Sequence, residues 1–167
     1  MADISNYYSD TIITGTAEDD SIYNGGSNVT IEALAGNDSI SNDYEASNVS
    51  ISTGAGNDPI SNYGVNVTAD GGDGDDYFYE YGYGTAYVYS GGNDTLAYFN
   101  DVGTLVLGDV SIQSSIQAYY LGPITLNLSN GNSIVLNHYN PNTSSSEIHT
   151  VASVSEVEPI NVVRNYD

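Results

Sequence analysis

One aspartate recurs at an almost constant interval between residues 20 and 94. Neighbouring copies are 18, 20, 18 and 18 residues apart, and they are Asp20, Asp38, Asp58, Asp76 and Asp94. Each copy ends a short stretch rich in small and polar residues, and an apolar residue follows it two positions later. Carboxylate oxygens are hard ligands of the kind that calcium prefers. One carboxylate in every period predicts a repeat fold that stacks these residues in a row, where they could bind divalent cations.

Residues 71–79, GGDGDDYFY, show the repeated unit in its fullest form, with glycine at the first, second and fourth positions and aspartate at the sixth. Weaker copies begin at Gly15, Ala33, Thr53 and Tyr89. The pattern resembles the nine-residue repeat of the RTX (repeats-in-toxin), haemolysin-type calcium-binding proteins, G-G-x-G-x-D-x-U-x with U apolar. The resemblance covers residues 15–97. It implies a parallel β-roll in which two units form one turn and calcium lies between the glycine-rich loops of neighbouring turns.

The resemblance also implies which residues hold the metal. The implied calcium ligands are the five aspartates and the glycines of the same loops, Asp20, Asp38, Asp58, Asp76, Asp94, Gly36, Gly54, Gly56, Gly72, Gly74 and Gly92. Glycine permits positive φ, which lets a loop point several carbonyl oxygens toward one place. Five loops leave four gaps, so about four ions is the geometric ceiling. Glu18 and Ala33-Leu34 replace glycines in the first two loops. The gap between Asp20 and Asp38 is therefore the weakest predicted calcium site, and the gap between Asp58 and Asp76 is the strongest.

Composition excludes several other functions. The chain has 22 acidic residues against one lysine or arginine, a net charge of −21, which argues against nucleic acid and anionic membranes as partners. It has no cysteine, so it forms neither disulfides nor thiolate metal sites. His138 and His149 lack a neighbouring nucleophile motif, and we predict no enzymatic activity. Because the acidic chain repels itself, we expect it to fold only when calcium binds.

The second half of each period carries asparagine where the first half carries aspartate. The recurring residues are Asn24, Asn42 and Asn62 after one strand, and Asn28, Asn48 and Asn66 before the next. Stacked amides can hydrogen-bond from turn to turn, and the alternating apolar residues between them would fill a narrow core. We therefore predict an all-β, right-handed parallel β-roll (a β-solenoid) with 18-residue turns, metal loops on one edge and asparagine loops on the other. In the fourth turn, either Tyr87 or Val88 faces the core.

Two regions follow from these patterns. Residues 1–102 are predicted to form a β-roll region of about five turns, which begins with a polar lead-in at Met1–Asp10. Residues 103–167 are predicted to form a C-terminal β cap, which protects the open end of the roll. A hairpin at 124–137 would turn at Asn130-Gly131. RTX-like proteins typically leave the cell by type I secretion, and the C-terminal tail is a candidate secretion signal. No stretch is long and apolar enough to span a membrane.

The tyrosines leave two functional interpretations open. Six of them crowd one region, Tyr77, Tyr79, Tyr81, Tyr83, Tyr87 and Tyr89. Cross-strand packing is the favoured explanation, and a platform for stacking sugars is the other. We therefore expect a calcium-binding structural or adhesive module of a secreted bacterial protein at the cell surface, with polysaccharide or a second copy as partner. The alternative is a calcium-dependent glycan-binding accessory module of a secreted polysaccharide-processing or lytic enzyme.

Overall fold

The computed structural model describes residues 1–98, 103–117, 123–137, 148–151 and 158–160. These residues form strands joined by turns, and no helix occurs among them. The strands are β1 (Asp3–Asn6), β2 (Ile12–Thr14), β3 (Ser21–Asn24), β4 (Thr30–Glu32), β5 (Ser39–Asn42), β6 (Ser47–Ser52), β7 (Pro59–Asn62), β8 (Val65–Asp70), β9 (Tyr77–Glu80), β10 (Ala86–Val88), β11 (Asp94–Ala97), β12 (Thr104–Val106), β13 (Ile112–Gln117), β14 (Ile124–Leu128), β15 (Ser133–Asn137), β16 (Ile148–Val151) and β17 (Glu158–Ile160).

From β1 to β12, successive strands alternate between two sheets, which makes the chain a parallel β-solenoid of about six turns. The first sheet has the order β1-β3-β5-β7-β9-β11-β15-β14-β13, and the second has the order β2-β4-β6-β8-β10-β12-β16-β17. Equivalent residues pair from turn to turn, as Ile22 with Ile40 and Ile40 with Ile60. This register confirms the predicted all-β solenoid and its period.

Inward-facing side chains fill a narrow core between the sheets. The predicted apolar rows are each at most 2% exposed: Ile22, Ile40, Ile60, Phe78 and Leu96 from the first sheet, and Val29, Ile31, Val49, Ile51, Val67 and Ala69 from the second. The open question in the fourth turn is also answered. Tyr87 pairs with Ala69 and is fully buried, because the small alanine leaves room for its ring beside Phe78, with 5.3 Å between the ring centroids.

The first turn begins earlier than predicted. Met1–Asp10 is not a lead-in, because Asp3–Asn6 forms β1 and pairs with β3 in register. Ile4 packs against the core and Asn6 is buried. The sequence carries the signal, since Asp3-Ile4-Ser5-Asn6 matches the Ser21–Asn24 strand in its apolar and asparagine positions. The β-roll therefore has about six turns instead of about five.

Antiparallel strands end the stack at its C-terminal side. β14 and β15 pair as the predicted hairpin, and Gly131 at its turn has a φ of 91°. β13 adds to β14, and β16 pairs with β17, so both sheets finish with antiparallel strands. His138 and residues 161–167, the end of the candidate secretion signal, lie outside the described residues. Within the described residues, no helix is long and apolar enough to cross a membrane.

Candidate metal centre on the aspartate edge

The loops that lead from the second sheet to the first form one edge of the solenoid, which we call the aspartate edge. The fold brings all five predicted aspartates into one row along this edge, and each is 3% exposed or less, namely Asp20, Asp38, Asp58, Asp76 and Asp94. Strand register aligns them, because the strand that begins directly after each loop pairs with its equivalent in the next turn. Buried carboxylates are rare unless something compensates their charge.

One oxygen of each carboxylate is satisfied by the backbone of the preceding turn. The N–H of Asp20 donates to Oδ1 of Asp38 at 2.7 Å, and the N–H of Asp38 donates to Oδ1 of Asp58 at 2.7 Å. The same bond joins Asp58 to Asp76 at 3.0 Å and Asp76 to Asp94 at 3.1 Å. Sequence reasoning did not anticipate these bonds. They give the repeated aspartate a structural role that is independent of any metal.

The second oxygen of most of these carboxylates has no such partner. Oδ2 of Asp38, Asp58 and Asp76 is buried and makes no hydrogen bond to any described residue. Asp20 differs, since its Oδ2 accepts hydrogen bonds from the backbone N–H of Thr16 at 2.6 Å and from its hydroxyl at 3.0 Å. An unpaired buried carboxylate oxygen is costly. The three unpaired atoms therefore mark places where a proton or a cation would be stabilising.

The pKa values of the aspartates along this edge also indicate that a proton or a cation would be stabilising there. Burial raises the pKa of Asp76 and of Asp94 to about 7, and neighbouring carboxylates add to the increase. Burial also raises the pKa of Asp38 and of Asp58. For Asp20, hydrogen bonds from Ala2 and Thr16 outweigh the effect of burial and lower the pKa. Without a cation, the later carboxylates are therefore hard to keep ionised.

The predicted glycines let the loops stack in direct contact. All six have positive φ: Gly36, Gly54, Gly56, Gly72, Gly74 and Gly92. A Cβ added to Gly72 would lie 1.8 Å from the carbonyl oxygen of Gly54. Backbone bonds hold the loops together at this point, with Asp73 N–H donating to the Gly54 carbonyl at 2.8 Å. A side chain at these positions would push neighbouring turns apart.

The donor set of this edge suits calcium in its chemistry. The described residues contain no group of three or more carboxylate or imidazole side chains that could hold a metal by themselves. An ion would therefore need backbone carbonyls and water besides the aspartates. A loop carbonyl that accepts one N–H retains a second lone pair. Unpaired carboxylate oxygens and carbonyl oxygens are all hard donors, as calcium requires.

The opposite edge carries a complete amide ladder. Asn6 donates to Asn24, Asn24 to Asn42, and Asn42 to Asn62, each through Nδ2 to Oδ1 at 2.8 Å. The ladder ends where Asn62 donates to the buried carboxylate of Glu80 at 3.2 Å. Stacking of Asn24, Asn42 and Asn62 was predicted, whereas Asn6 and Glu80 were missed. Both occupy the same position in the period, two residues after an inward-facing apolar residue.

The predicted asparagines before the strands form a second, exposed ladder. Asn28, Asn48 and Asn66 all have φ of 55–56°. Their amides point back along the chain, so that Asn48 donates to Asn28 at 3.0 Å and Asn66 donates to Asn48 at 3.3 Å. Asparagine tolerates the left-handed backbone of these turns better than most residues do. This second row of asparagines therefore shapes the turns as well as linking them.

Stacked tyrosines cover part of the surface beside the asparagine edge. The ring of Tyr81 lies between Tyr63 and Tyr98, with centroid distances of 5.1 and 5.0 Å. The ring centroids of Tyr77 and Tyr79 lie 4.5 Å apart. The rings use their faces to pack on one another, which agrees with the favoured interpretation of the tyrosine cluster as packing.

Comparison with known proteins adds no further assignment. No protein-family model matches the chain, and a search of curated proteins finds no match. The candidate metal centre therefore rests on this chain's own residues: the aligned aspartates, their unpaired oxygens and the glycine loops between them.

Proposed function

We propose that the chain is a calcium-binding structural module of the RTX kind, which folds outside a bacterial cell and serves in adhesion or display there. The observation that carries the proposal is the row of three buried carboxylate oxygens without a hydrogen-bond partner among the described residues, on Asp38, Asp58 and Asp76. The other features of the fold are explained by hydrogen bonds and packing within the chain. These three atoms call for a positive partner, and the chain has one strong base in all.

Calcium suits this row better than the other common divalent cations. It accepts six to eight oxygen ligands at roughly 2.3–2.6 Å in flexible geometry, so it tolerates a mixture of carboxylates, carbonyls and water. Magnesium requires a tight octahedron and retains its waters. Zinc prefers nitrogen and sulfur ligands, and the aspartate edge offers oxygen donors.

Calcium binding would also control folding. A site with a dissociation constant of about 0.1 mM contributes about 1.4 kcal/mol at about 1 mM calcium. Two to four such sites contribute about 3–6 kcal/mol, a large share of a typical folding free energy of about 5–15 kcal/mol. Cytosolic calcium is far too dilute to fill sites of this affinity, so the chain would stay unfolded inside the cell. That state suits export by type I secretion, after which extracellular calcium would fold the module.

Circular dichroism of the full chain tests this proposal directly. Calcium-free protein in a chelator should show a largely disordered spectrum at pH 7.5, and about 1 mM calcium should restore the β signal cooperatively. The same concentration of magnesium is the control and should restore little of it. An equally strong β signal with chelator and with calcium would contradict the proposal, because the aspartate edge would then be complete without metal.

The tyrosine stack does not favour the alternative of a glycan-binding accessory module. A sugar ring stacks on an exposed aromatic face, but Tyr63 and Tyr98 cover the two faces of Tyr81. Among the six crowded tyrosines, Tyr83 is the most exposed, at 65%, and one ring is a small platform. The structural role therefore stands as the better supported proposal.

A further inference from the structure

Tyr87 is the one polar residue in an otherwise aliphatic row of the core. The inward-facing residues of the second sheet pair from turn to turn in the order Ile13, Ile31, Ile51, Ala69, Tyr87 and Leu105. Tyr87 is fully buried and is the largest side chain so enclosed among the described residues. A leucine would fill this position without burying a polar group. The hydroxyl therefore needs an explanation of its own.

The hydroxyl of Tyr87 reaches the aspartate edge. A Cβ added to Gly71 would lie 2.8 Å from the Tyr87 hydroxyl and 2.1 Å from the unpaired Oδ2 of Asp76, so both oxygens lie beside the same piece of backbone. The hydroxyl also faces Asp94, although it makes no hydrogen bond of standard geometry to a described residue.

The other end of the aspartate row has a comparable feature. Thr16 donates both its backbone N–H and its hydroxyl to Asp20, so that neither oxygen of Asp20 is unpaired. In the middle of the row, Oδ2 of Asp38 and of Asp58 has no hydrogen-bond partner among the described residues. The Thr53 hydroxyl lies beside Asp58, but it donates its proton to the Gly71 carbonyl at 2.6 Å. Hydroxyls with a proton left for a carboxylate thus lie at the two ends of the row.

The number of unpaired oxygens differs among the four gaps. The gap between Asp38 and Asp58 and the gap between Asp58 and Asp76 are each flanked by two unpaired Oδ2 atoms. The gap before Asp38 has one, because Thr16 satisfies Asp20. The gap between Asp76 and Asp94 has the phenol beside its carboxylates. A cation gains most where two anionic oxygens are free to bind it.

We propose that Thr16 and Tyr87 close the two ends of the cation row, so that calcium occupies only the two gaps on either side of Asp58. This inference rests on the proposed function and sharpens it, because it fixes how many ions bind and where. At the last gap, the phenol has a proton that makes no standard hydrogen bond to a described residue. Its O–H would donate to a carboxylate there and so supply from the chain the positive partner that calcium supplies in the middle. Tyr87 therefore acts as a positioning residue that excludes an ion, and it is not a ligand.

Equilibrium dialysis of the full chain against calcium chloride, followed by elemental analysis, tests the inference. We expect two ions per wild-type chain, two for Asp94→Asn, and none for Asp58→Asn. Tyr87→Phe retains the ring and removes only the hydroxyl, so it should gain a third ion. Tyr79→Phe is the matched control, since its ring lies outside the core, and it should keep two.

Each other outcome has a distinct meaning. A wild-type chain that binds four ions and loses one in Asp94→Asn would overturn the inference and leave the proposed function standing. An unchanged count in Tyr87→Phe would overturn the role of the phenol, and a lower count would make Tyr87 a ligand and overturn it as well. A wild-type chain that binds no calcium would overturn the proposed function and the inference together.

Discussion

The asparagine edge and the aspartate edge each place one buried polar side chain in every turn, and they differ in what that side chain can donate. On the asparagine edge, Asn42 accepts from Asn24 and donates to Asn62, so every amide has a partner on both sides. On the aspartate edge, Asp58 accepts one backbone N–H and its second oxygen has no partner among the described residues. The two rows share spacing and burial, but one is complete and the other is not.

This difference shows that side-chain chemistry decides whether a stacked row can stabilise itself. An amide has both a donor and an acceptor, so a row of amides passes hydrogen bonds along without a gap. A carboxylate only accepts when it is ionised. A row of carboxylates must therefore obtain positive charge or protons from elsewhere. Asp20 supports this explanation, because donors from Thr16 complete it and its pKa is lowered, whereas the pKa of each later aspartate is raised.

The largest effect is expected from breaking the complete row. Asn42→Ala would leave one N–H of the Asn24 amide unpaired and would remove one of the two hydrogen bonds that Oδ1 of Asn62 accepts, and all three residues are fully buried. Asn24 would keep its bond to the Gly26 carbonyl, and Asn62 would keep its bond from the Gly64 N–H. An unpaired buried donor costs about 1–3 kcal/mol and a lost hydrogen bond about 0.5–1.5 kcal/mol, so the free energy of unfolding should fall by about 2–4 kcal/mol. Urea unfolding in saturating calcium measures this loss.

Asn48→Ala is the control for that prediction. Asn48 has the same two kinds of ladder bond but is exposed, so water can replace its partners. Its φ of 55° makes alanine unfavourable by about 1–2 kcal/mol. A cost for Asn42→Ala no larger than the cost for Asn48→Ala would show that the buried amides contribute little. The contrast between the two edges would then lose its basis.

The second prediction concerns a substitution that gives one position of the aspartate edge the side chain of the asparagine edge. Asp58→Asn removes a charge and introduces a donor beside the unpaired oxygens of Asp38 and Asp76. The variant should therefore be more folded than wild type without calcium. With about 1 mM calcium it should be less stable by about 3 kcal/mol, since it would lose two ions that contribute about 1.4 kcal/mol each. Unfolding midpoints with and without calcium show whether the stability difference between the variant and wild type changes sign.

Asp43→Asn makes the same change of charge on the opposite edge. Asp43 accepts the Tyr23 hydroxyl at 2.8 Å and the Glu45 N–H at 3.2 Å through different oxygens. An asparagine can still accept the Glu45 N–H with its oxygen and donate its NH2 to the oxygen of the Tyr23 hydroxyl. Its stability should stay within about 0.5 kcal/mol of wild type under both conditions. If calcium reversed the sign of the stability change for Asp43→Asn as it should for Asp58→Asn, the effect would come from net charge and not from the row of aspartates.

Most of the fold could be predicted from the sequence because the same pattern of residues recurs in successive turns of the solenoid. Apolar residues at fixed positions, such as Ile22, Ile40 and Ile60, determine which side of each strand faces the core, and one period predicts the next. The turn that was missed, Met1–Asp10, has a single inward isoleucine, Ile4. Its strand could be recognised only from Asn6, whose importance depends on the ladder that it joins.

The candidate site was predictable in its residues and less so in its hydrogen bonds. The spacing alone places the five aspartates in one row. Which of their oxygens has a partner depends on rotamers and on distant side chains, such as Tyr87 reaching over from the other sheet. Thr16 stands where a glycine of the loop was expected, and nothing local shows that it completes Asp20. The hydrogen bonds from the backbone to Oδ1 likewise depend on the distance between turns.

The smallest effect is expected from pH, and its sign depends on whether calcium is bound. In the calcium-free chain the pKa of Asp76 and of Asp94 is raised to about 7 from an ordinary value of 3.8. A group with a raised folded pKa gives stability that is full below its unfolded pKa and is lost as pH rises through the folded value. Calcium-free protein should therefore show more β signal by circular dichroism at pH 5 than at pH 8. Calcium requires ionised carboxylates, so calcium-loaded protein should show the opposite order.

Glu80→Gln and Asp76→Asn assign this pH dependence to one edge or the other. Burial also raises the pKa of Glu80 at the end of the asparagine ladder, so Glu80 contributes in the same direction. Glu80→Gln removes only that contribution and should leave most of the difference between pH 5 and pH 8, because at least four carboxylates of the aspartate edge remain. Asp76→Asn should reduce the difference more. If Glu80→Gln abolished it instead, protonation of the aspartate row would not be what replaces calcium in acid, and the row would be neutralised by some other means.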